Sequence, residues 1–301
     1  MILEQYNVRG QNPHGNASGN YIENTVSFNS SHDTLTGMAY NYSYDPGFAN
    51  RIIVVLLPGW GGHRTDFDSA TLRRWAARGG FCIAINMRGR EQATFDYRDA
   101  SGVELYDIYD AVKSVKTNFR KLVGNKVLII GYSCGGGNSL ALASKFPDLS
   151  AVNASFFGMS DYGYDGADGW YFNNGGTYTV SINSSVGGTP LSYPNKYRSR
   201  YMIESIANNF INGHLMLFHS SGDATVPLVH STNVRDAFNS AGKSNYTNSV
   251  SNNWGHGYPS PGSSLIDAEP TIWTKALDTL IWTFPRSGNI RVNGYIVTKW
   301  F

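Results

Sequence analysis

The sequence predicts an α/β fold, with a mostly parallel central sheet and helices on both faces. Three observations predict it. Apolar, β-branched runs recur at 51–57 (RIIVVLL), 81–86 (FCIAIN) and 127–130 (VLII), as strands buried on both faces require. Between them, 66–78 and 103–119 place apolar residues at helical spacing. Strand, helix, strand, helix, strand is a βαβ series, whose crossovers make neighbouring strands parallel.

Residues 1–20 are rich in Asn and Gly and read as irregular. TVSFNS and LTGMAYNYSY, within 24–44, read as two strands joined by the turn Ser30-Ser31-His32-Asp33. RIIVVLL runs straight into Pro58-Gly59-Trp60-Gly61-Gly62. The helix at 66–78 carries Phe67, Leu72, Trp75 and Ala76 and stops at Gly79-Gly80. FCIAIN leads into Met87-Arg88-Gly89-Arg90. The helix at 103–119 shows Val103, Tyr106, Ile108, Val112, Val115 and Phe119 on one face. Further strands are expected at 149–157, 214–220 and near 245–251, and a last helix at 268–284 with Trp273, Ala276, Leu277, Leu280 and Ile281 on one face.

Two stretches fall outside this rhythm. Residues 158–200 are rich in Gly, Asn, Ser and Tyr and arrive where a lid can be inserted. A structureless loop of that length is unusual in a compact domain, so short strands or a hairpin are expected there. The tail, 287–301, reads as a small hairpin turning at Asn293-Gly294. The organisation expected is one domain over 1–286 with a C-terminal hairpin.

Net charge is +2 with no basic run, which argues against a nucleic-acid or anionic-membrane partner. Charged residues are 15% of the chain, against about 25% in ordinary domains. Abundant Asn, Ser, Gly and Tyr give a surface that bonds through neutral groups, compatible with an extracellular or carbohydrate-facing life. MILEQYNVRG lacks a basic segment and a long apolar core, so no signal peptide is expected in this sequence. No apolar run reaches the ~20 residues that cross a bilayer. A soluble protein is expected, its compartment and oligomeric state open. Cys82 and Cys134 have no metal-ligand spacing, and both look buried, so no disulfide is expected between them.

The chemistry centres on 126–146, KVLIIGYSCGGGNSLALASKF. A strand that turns abruptly into a helix forces the residue at the turn into strained backbone geometry and pushes its side chain above the sheet. Gly131-Tyr132-Ser133-Cys134-Gly135 has that form, with glycines where a Cβ would collide. In a chain this rich in Gly and Ser the bare motif is weak; strand before and helix after make it specific. A serine hydroxyl needs a base, and the base needs a carboxylate to hold its tautomer. Asp223 follows HLMLFHSSG, and His256 sits in Asn253-Trp254-Gly255-His256-Gly257 before the last helix. Their order, Ser133, Asp223, His256, suits a strand-turn-helix nucleophile. Asp161 and Asp165 compete as the acid. His63, in the loop after RIIVVLL, competes as the base but precedes the serine; His14 and His32 precede the sheet, His214 and His219 lie in a strand, and His230 opens a helix. An oxyanion needs two backbone donors, for which Cys134 and Trp60 are the candidates; the alternative for the Trp60 loop is a plain tight turn. Cys134 as nucleophile is the weaker alternative to Ser133, because the turn exposes its middle residue and buries the next.

The chain resembles the α/β-hydrolase superfamily, in the branch of prolyl-oligopeptidase-like peptidases, acetyl xylan esterases and related carboxylesterases. The resemblance runs from about Val26 to Phe284. It rests on VSFNSSHDTLTGMAYNYS for the leading strands, LLPGWGG for the oxyanion loop, NMRGR, and GYSCGG, SGDATVP and GHGY for nucleophile, acid and histidine. Pro58 departs from the usual His before Gly59, which alters what braces that loop. The resemblance implies two-step acyl transfer through an acyl-enzyme on Ser133, with no metal or organic cofactor. The first expectation for the substrate is a carboxylic ester of a carbohydrate or other small acyl compound, making the chain a serine esterase. A peptidase of the prolyl-oligopeptidase-like type is the alternative; such enzymes carry a propeller or comparable gate before the hydrolase domain, and about 50 leading residues cannot form one. A non-catalytic binding protein on the same fold is the third reading. Trp60, Tyr162, Trp170 and Tyr171 are candidates for binding substrate; with Tyr164 and Phe172, the aromatic residues of 158–200 are equally suited to be that segment's own small core.

Overall fold

The computed structural model describes residues 19–33, 35–89, 99–173, 177–252, 255–256, 264–279, 288–292 and 295–299. In chain order it begins with β1 (Ile22–Phe28), β2 (Met38–Tyr44), β3 (Arg51–Leu57), α1 (Ser69–Ala77), β4 (Gly80–Ile85), α2 (Glu104–Asn118), β5 (Val123–Tyr132), α3 (Cys134–Lys145) and β6 (Val152–Phe156). Four short helices follow: α4 (Trp170–Asn173), α5 (Thr177–Val186), α6 (Pro194–Arg198) and α7 (Ile206–Asn209). Then come β7 (His214–Ser220), α8 (Val229–Ser240), β8 (Tyr246–Ser251), α9 (Ser264–Asp278), β9 (Gly288–Val292) and β10 (Tyr295–Lys299).

Eight strands form one sheet in the order β1-β2-β4-β3-β5-β6-β7-β8. β1 and β2 pair antiparallel with each other, and β2 pairs antiparallel with β4; from β4 to β8 every pairing is parallel. This is the α/β-hydrolase fold. The continuous apolar runs explain it: successive strand side chains alternate between faces, so a run without polar gaps feeds two cores at once. On one face Ile53, Val55, Leu57, Val127 and Ile129 pack with Leu105, Ile108 and Val112 of α2 and Leu140 of α3. On the other, Ile52, Val54, Leu56, Leu128 and Ile130 pack with Leu72 and Trp75 of α1 and Ile272 and Trp273 of α9. Each such side chain contributes roughly 1.5–3 kcal/mol by leaving water. Ion pairs tie the second layer together: Glu269 of α9, wholly buried, bonds Arg74 and Arg78 at the end of α1. Lys126 donates to the carbonyls of Ala276 and Leu277, a cation at the carboxyl end of α9 where the helix dipole favours one.

The segment between β6 and β7 differs from expectation. Among the described residues its elements are helices, not short strands or a hairpin, with an isolated bridge pairing Asp161 with Tyr201. Tyr178, Ile182 and Val186 stand four residues apart, which is helical spacing, and Ile182 and Val186 are buried. That periodicity overrides the strand propensity of Thr, Tyr, Val and Ile in TYTVSI. β9 and β10 pair antiparallel, with Val292 opposite Tyr295; the Asn293-Gly294 turn lies outside the described residues, as do residues 1–18, Arg90, Asn253, Trp254, Gly257 and 280–287. Among the described residues no helix is long and apolar enough to cross a membrane.

Candidate active site

Parallel strands bring their carboxyl ends to one edge, and the candidate residues lie there. Ser133 follows β5, Asp223 follows β7 and His256 follows β8. β3 neighbours β5, so the loop after β3 runs beside Ser133: a Cβ on Gly59 would stand 3.6 Å from the Ser133 Cβ.

Ser133 has φ 53° and ψ −116°, a conformation that L-residues rarely adopt. Its N–H donates to the Phe156 carbonyl at 2.8 Å, and its carbonyl accepts from the Gly137 N–H at 2.9 Å, starting α3 at once. The turn is so tight that a Cβ on Gly131 would run into the Gly135 carbonyl. The Cys134 N–H, at the first position of α3, therefore has the helix N-terminus behind it.

His256 Nε2 lies 3.0 Å from Ser133 Oγ, and His256 Nδ1 lies 2.9 Å from Asp223 Oδ2. A carboxylate oxygen only accepts, so Nδ1 carries the proton and Nε2 turns its lone pair toward the serine hydroxyl. The buried Asp223 is itself fixed: its Oδ1 accepts from the Thr225 N–H at 2.9 Å and the Val226 N–H at 2.8 Å. Ser220 Oγ accepts from Gly222 N–H and Gly255 N–H, joining the acid loop to the histidine loop. Phe157, at φ 53°, wedges its ring between His219 and His256, at centroid distances of 5.8 and 5.9 Å.

The competing residues have other duties. Asp161 Oδ1 accepts from the Gly163 and Tyr164 N–H groups and its Oδ2 from Asp165, closing a turn; Asp165 accepts from the Tyr201 hydroxyl. The His63 ring accepts from the Thr65 N–H, lies 2.6 Å from Thr65 Oγ1 and caps the 3-10 turn Arg64–Asp66. His14 lies outside the described residues. Cys134 is buried, and burial pushes its thiol well above the ordinary range, with Glu104 acting in the same direction. A thiol held protonated is a poor nucleophile. Cys82 and Cys134 are both free.

The loop after β3 shows what stands in for the missing histidine brace. The Gly62 N–H donates to the Gly59 carbonyl at 2.9 Å, with Trp60 and Gly61 (φ 59°) at the centre of the turn. The Gly62 carbonyl accepts from Met87 N–H, and Arg64 N–H donates to Asn86 Oδ1. The turn after β4 thus braces the loop, and buried Arg88 anchors that turn through Asp107, Asp33 and Ser30.

The aromatic candidates divide. Tyr162 is wholly buried, its hydroxyl 3.0 Å from Ser101 Oγ and 3.7 Å from Cys134 Sγ. Trp170 is 3% exposed and donates its indole N–H to the Thr225 carbonyl at 2.8 Å. Neither ring offers a face for a substrate to stack on, so both are corrected to core residues, packed with Cys134, Met159, Ile182 and Val226. Tyr171 is half-buried against Phe172 and Tyr197. Trp60 is half-buried beside Trp170, and its indole N–H has no partner among the described residues.

Behind the elbow lies a polar cluster that the sequence did not reveal. Ser101 donates to Asn138, Lys145 donates to the Ser101 carbonyl, and Arg200 pairs with Asp99. Burial, then the charge of Asp99, pushes Glu104 up to about 8; burial, then Arg200, pushes Lys145 down to about 7. Glu104 heads a helix, where an acidic residue ordinarily faces solvent, so no local signal marks it as buried.

A model of the prolyl oligopeptidase family matches residues 65–274. The chain belongs to that family. No curated protein matches it. Among solved structures, it resembles a Pyrococcus horikoshii acylaminoacyl peptidase (TM-score 0.72, 18% identity, covering 88% of this chain and 43% of that one). A putative dipeptidyl aminopeptidase IV from Bacteroides ovatus gives 0.66 at 19% identity, covering 86% and 36%. An acylaminoacyl peptidase in complex with Z-Gly-Gly-Phe-chloromethyl ketone gives 0.70 at 17%, covering 88% and 43%. The chain thus spans between 36% and 43% of the length of these structures, and at such identities the likeness speaks to the fold. The family match covers more than half of the chain. This overturns the expected carboxylic ester hydrolase. That expectation leaned on the few leading residues, whereas the family match lies in the hydrolase segment itself, whatever precedes it.

Proposed function

We propose that this chain carries the hydrolytic centre of a serine peptidase, with Ser133 as nucleophile, His256 as base and Asp223 as acid. The observation that carries the reading is the relay Asp223 Oδ2, His256 Nδ1, His256 Nε2, Ser133 Oγ, at 2.9 and 3.0 Å, in a chain of the prolyl oligopeptidase family. Ser133 Oγ attacks the peptide carbonyl carbon as its proton passes to His256 Nε2. The oxyanion is taken by the Cys134 N–H and, from the loop after β3, the Trp60 N–H. His256 then gives its proton to the departing amine, leaving an acyl-enzyme on Ser133. Water, deprotonated by the same imidazole, attacks the ester; the carboxylic acid leaves and Ser133 regains its proton. Asp223 stabilises the imidazolium in both halves without taking the proton. Every bond made or broken is served by these side chains and water.

The test pairs a fluorophosphonate probe with aminoacyl- and acyl-aminoacyl-p-nitroanilides and unblocked peptides. Wild type should be labelled and cleave at least one amide substrate, and Ser133→Ala should do neither. A wild type that labels at Ser133 yet cleaves no amide bond in that panel would remove the peptidase reading.

A further inference from the structure

The turn that bears the acid is held by two N–H donors outside the triad. Trp170, the first residue of α4, donates its indole N–H to the Thr225 carbonyl at 2.8 Å. His219, wholly buried in β7, places Nε2 at 2.8 Å from the Val226 carbonyl. A carbonyl only accepts, so His219 Nε2 carries the proton. In the neutral ring Nδ1 is then the acceptor, and the Ser231 hydroxyl donates to it at 2.6 Å. Burial favours that neutral form. The same Nε2 stands 3.6 Å from Asp223 Oδ2, the oxygen that accepts from His256. Two amides of the turn thus hold Asp223 Oδ1, and the carbonyls of Thr225 and Val226 are held in turn by Trp170 and His219.

We propose that Trp170 and His219 are positioning residues for Asp223, clamping the 223–226 turn so that the carboxylate keeps its angle to His256. The inference rests on the reading of Ser133, His256 and Asp223 as a triad and is independent of the bond cleaved. Trp170 lies in the segment between β6 and β7, so its hydrogen bond joins that segment to the turn that bears Asp223. A tryptophan serving only as core needs no acceptor at a set place; this one points its N–H at the acid turn.

The test reads the rate of Ser133 labelling by a fluorophosphonate between pH 5 and 9, which needs no substrate. Trp170→Phe keeps a ring and removes the N–H; His219→Leu removes the second donor; His219→Gln restores an N–H near the Nε2 position. Labelling requires that His256 take the Ser133 proton, which depends on Asp223 holding its Nδ1–H in place. Loosening the turn should therefore slow labelling about 10- to 100-fold across that pH range, with His219→Gln recovering most of the rate. The titratable groups that face Asp223 among the described residues include His256 and His219, with His230 beyond them; His219→Leu and His219→Gln remove the same imidazole, so their difference reports the N–H and not the loss of the ring. Ser133→Ala, run in parallel, tests the triad separately. Trp170→Phe and His219→Leu labelling at the wild-type rate across that pH range, whatever their Tm, would make both contacts purely structural and overturn the proposal.

Discussion

Replacing Asp223 by Asn tests the site most sharply, because its surroundings dictate how the amide must sit. Oδ1 accepts two backbone N–H groups at 2.9 and 2.8 Å. Turning an NH2 toward them would leave donors facing donors in a buried place, at a cost of about 1–3 kcal/mol for each bond lost. The Asn oxygen therefore keeps that position, and its NH2 takes the place of Oδ2, 2.9 Å from His256 Nδ1. An amide NH2 only donates, so His256 must offer a lone pair at Nδ1 and carry its proton on Nε2, facing Ser133 Oγ. The base then has nothing with which to take the serine proton. The expected loss is about 10⁴-fold in kcat, or about 5 kcal/mol of transition-state stabilisation, with KM little changed. Stopped or initial-rate assays on a cleaved p-nitroanilide measure it, and Tm checks the fold. An Asn variant within tenfold of wild type would refute the tautomer argument, and with it the role given to Asp223.

Other perturbations follow from the same geometry. Ser133→Gly should abolish labelling yet raise stability by about 1 kcal/mol, since glycine tolerates φ 53° without strain; a lower Tm than Ser133→Ala would count against stored strain at the elbow. His256→Ala should cost several orders of magnitude in kcat, whereas His63→Ala, which removes a cap on a 3-10 turn, should cost less than about threefold. If kinetics reverse those two, the base is misassigned. Burial pushes His230 down to about 3 and His214 down to about 4. Below pH 6.5 the unfolded chain then binds more protons than the folded one, so stability falls as pH falls from 6.5 toward these values. For fully buried His230 the loss at pH 5 is about 2 kcal/mol. Thermal melts at pH 7.5, 6.5 and 5 should show it, with a flatter profile for His230→Gln; a profile as steep as that of wild type would show that His230 is not the group responsible.

The parts of this protein legible in its sequence are those where local pattern and tertiary role coincide. RIIVVLL reads as a strand buried on both faces because every residue is apolar, and β3 is buried along its whole length. The elbow reads from glycines that steric crowding alone demands, and the Gly131–Gly135 approach shows that crowding. Asp223 and His256 could be placed because loops at strand ends are where parallel sheets gather chemistry. The clamp on the acid turn was hidden, since nothing local distinguishes an indole N–H that meets a distant carbonyl from one that meets water. His219 read as strand packing, and burial is the part of its role that a pattern can show. The segment between β6 and β7 misled because its composition suggests turns and its β-branched residues suggest strands. Its helical signal is only Tyr178, Ile182 and Val186, too short a repeat to outweigh composition in one sequence.

That segment also decides what its removal would do. Were it a detachable lid, deleting 162–199 would widen the substrate range and leave the fold intact. The structure argues otherwise. Tyr162, Trp170, Ile182, Val186 and Tyr197 are all buried and cover Cys134 and Met159 beside the elbow. A Cβ on Gly137 would stand 2.5 Å from the Tyr162 hydroxyl, so α3 is shaped to receive that ring. Arg200 and Asp99 close the same layer, and Trp170 holds the acid turn. At roughly 1.5–3 kcal/mol for each buried apolar side chain, losing five of them removes about as much as the 5–15 kcal/mol by which a domain is stable. The deletion should therefore yield a chain with no cooperative thermal transition and no labelling at Ser133. A deletion variant that melts cooperatively and still takes the probe would show that the triad stands on the sheet alone and that the segment serves selectivity. The contacts at Trp170 and Tyr162 weigh against that outcome, because they join the insertion to the 223–226 turn and to Cys134, next to Ser133, at once.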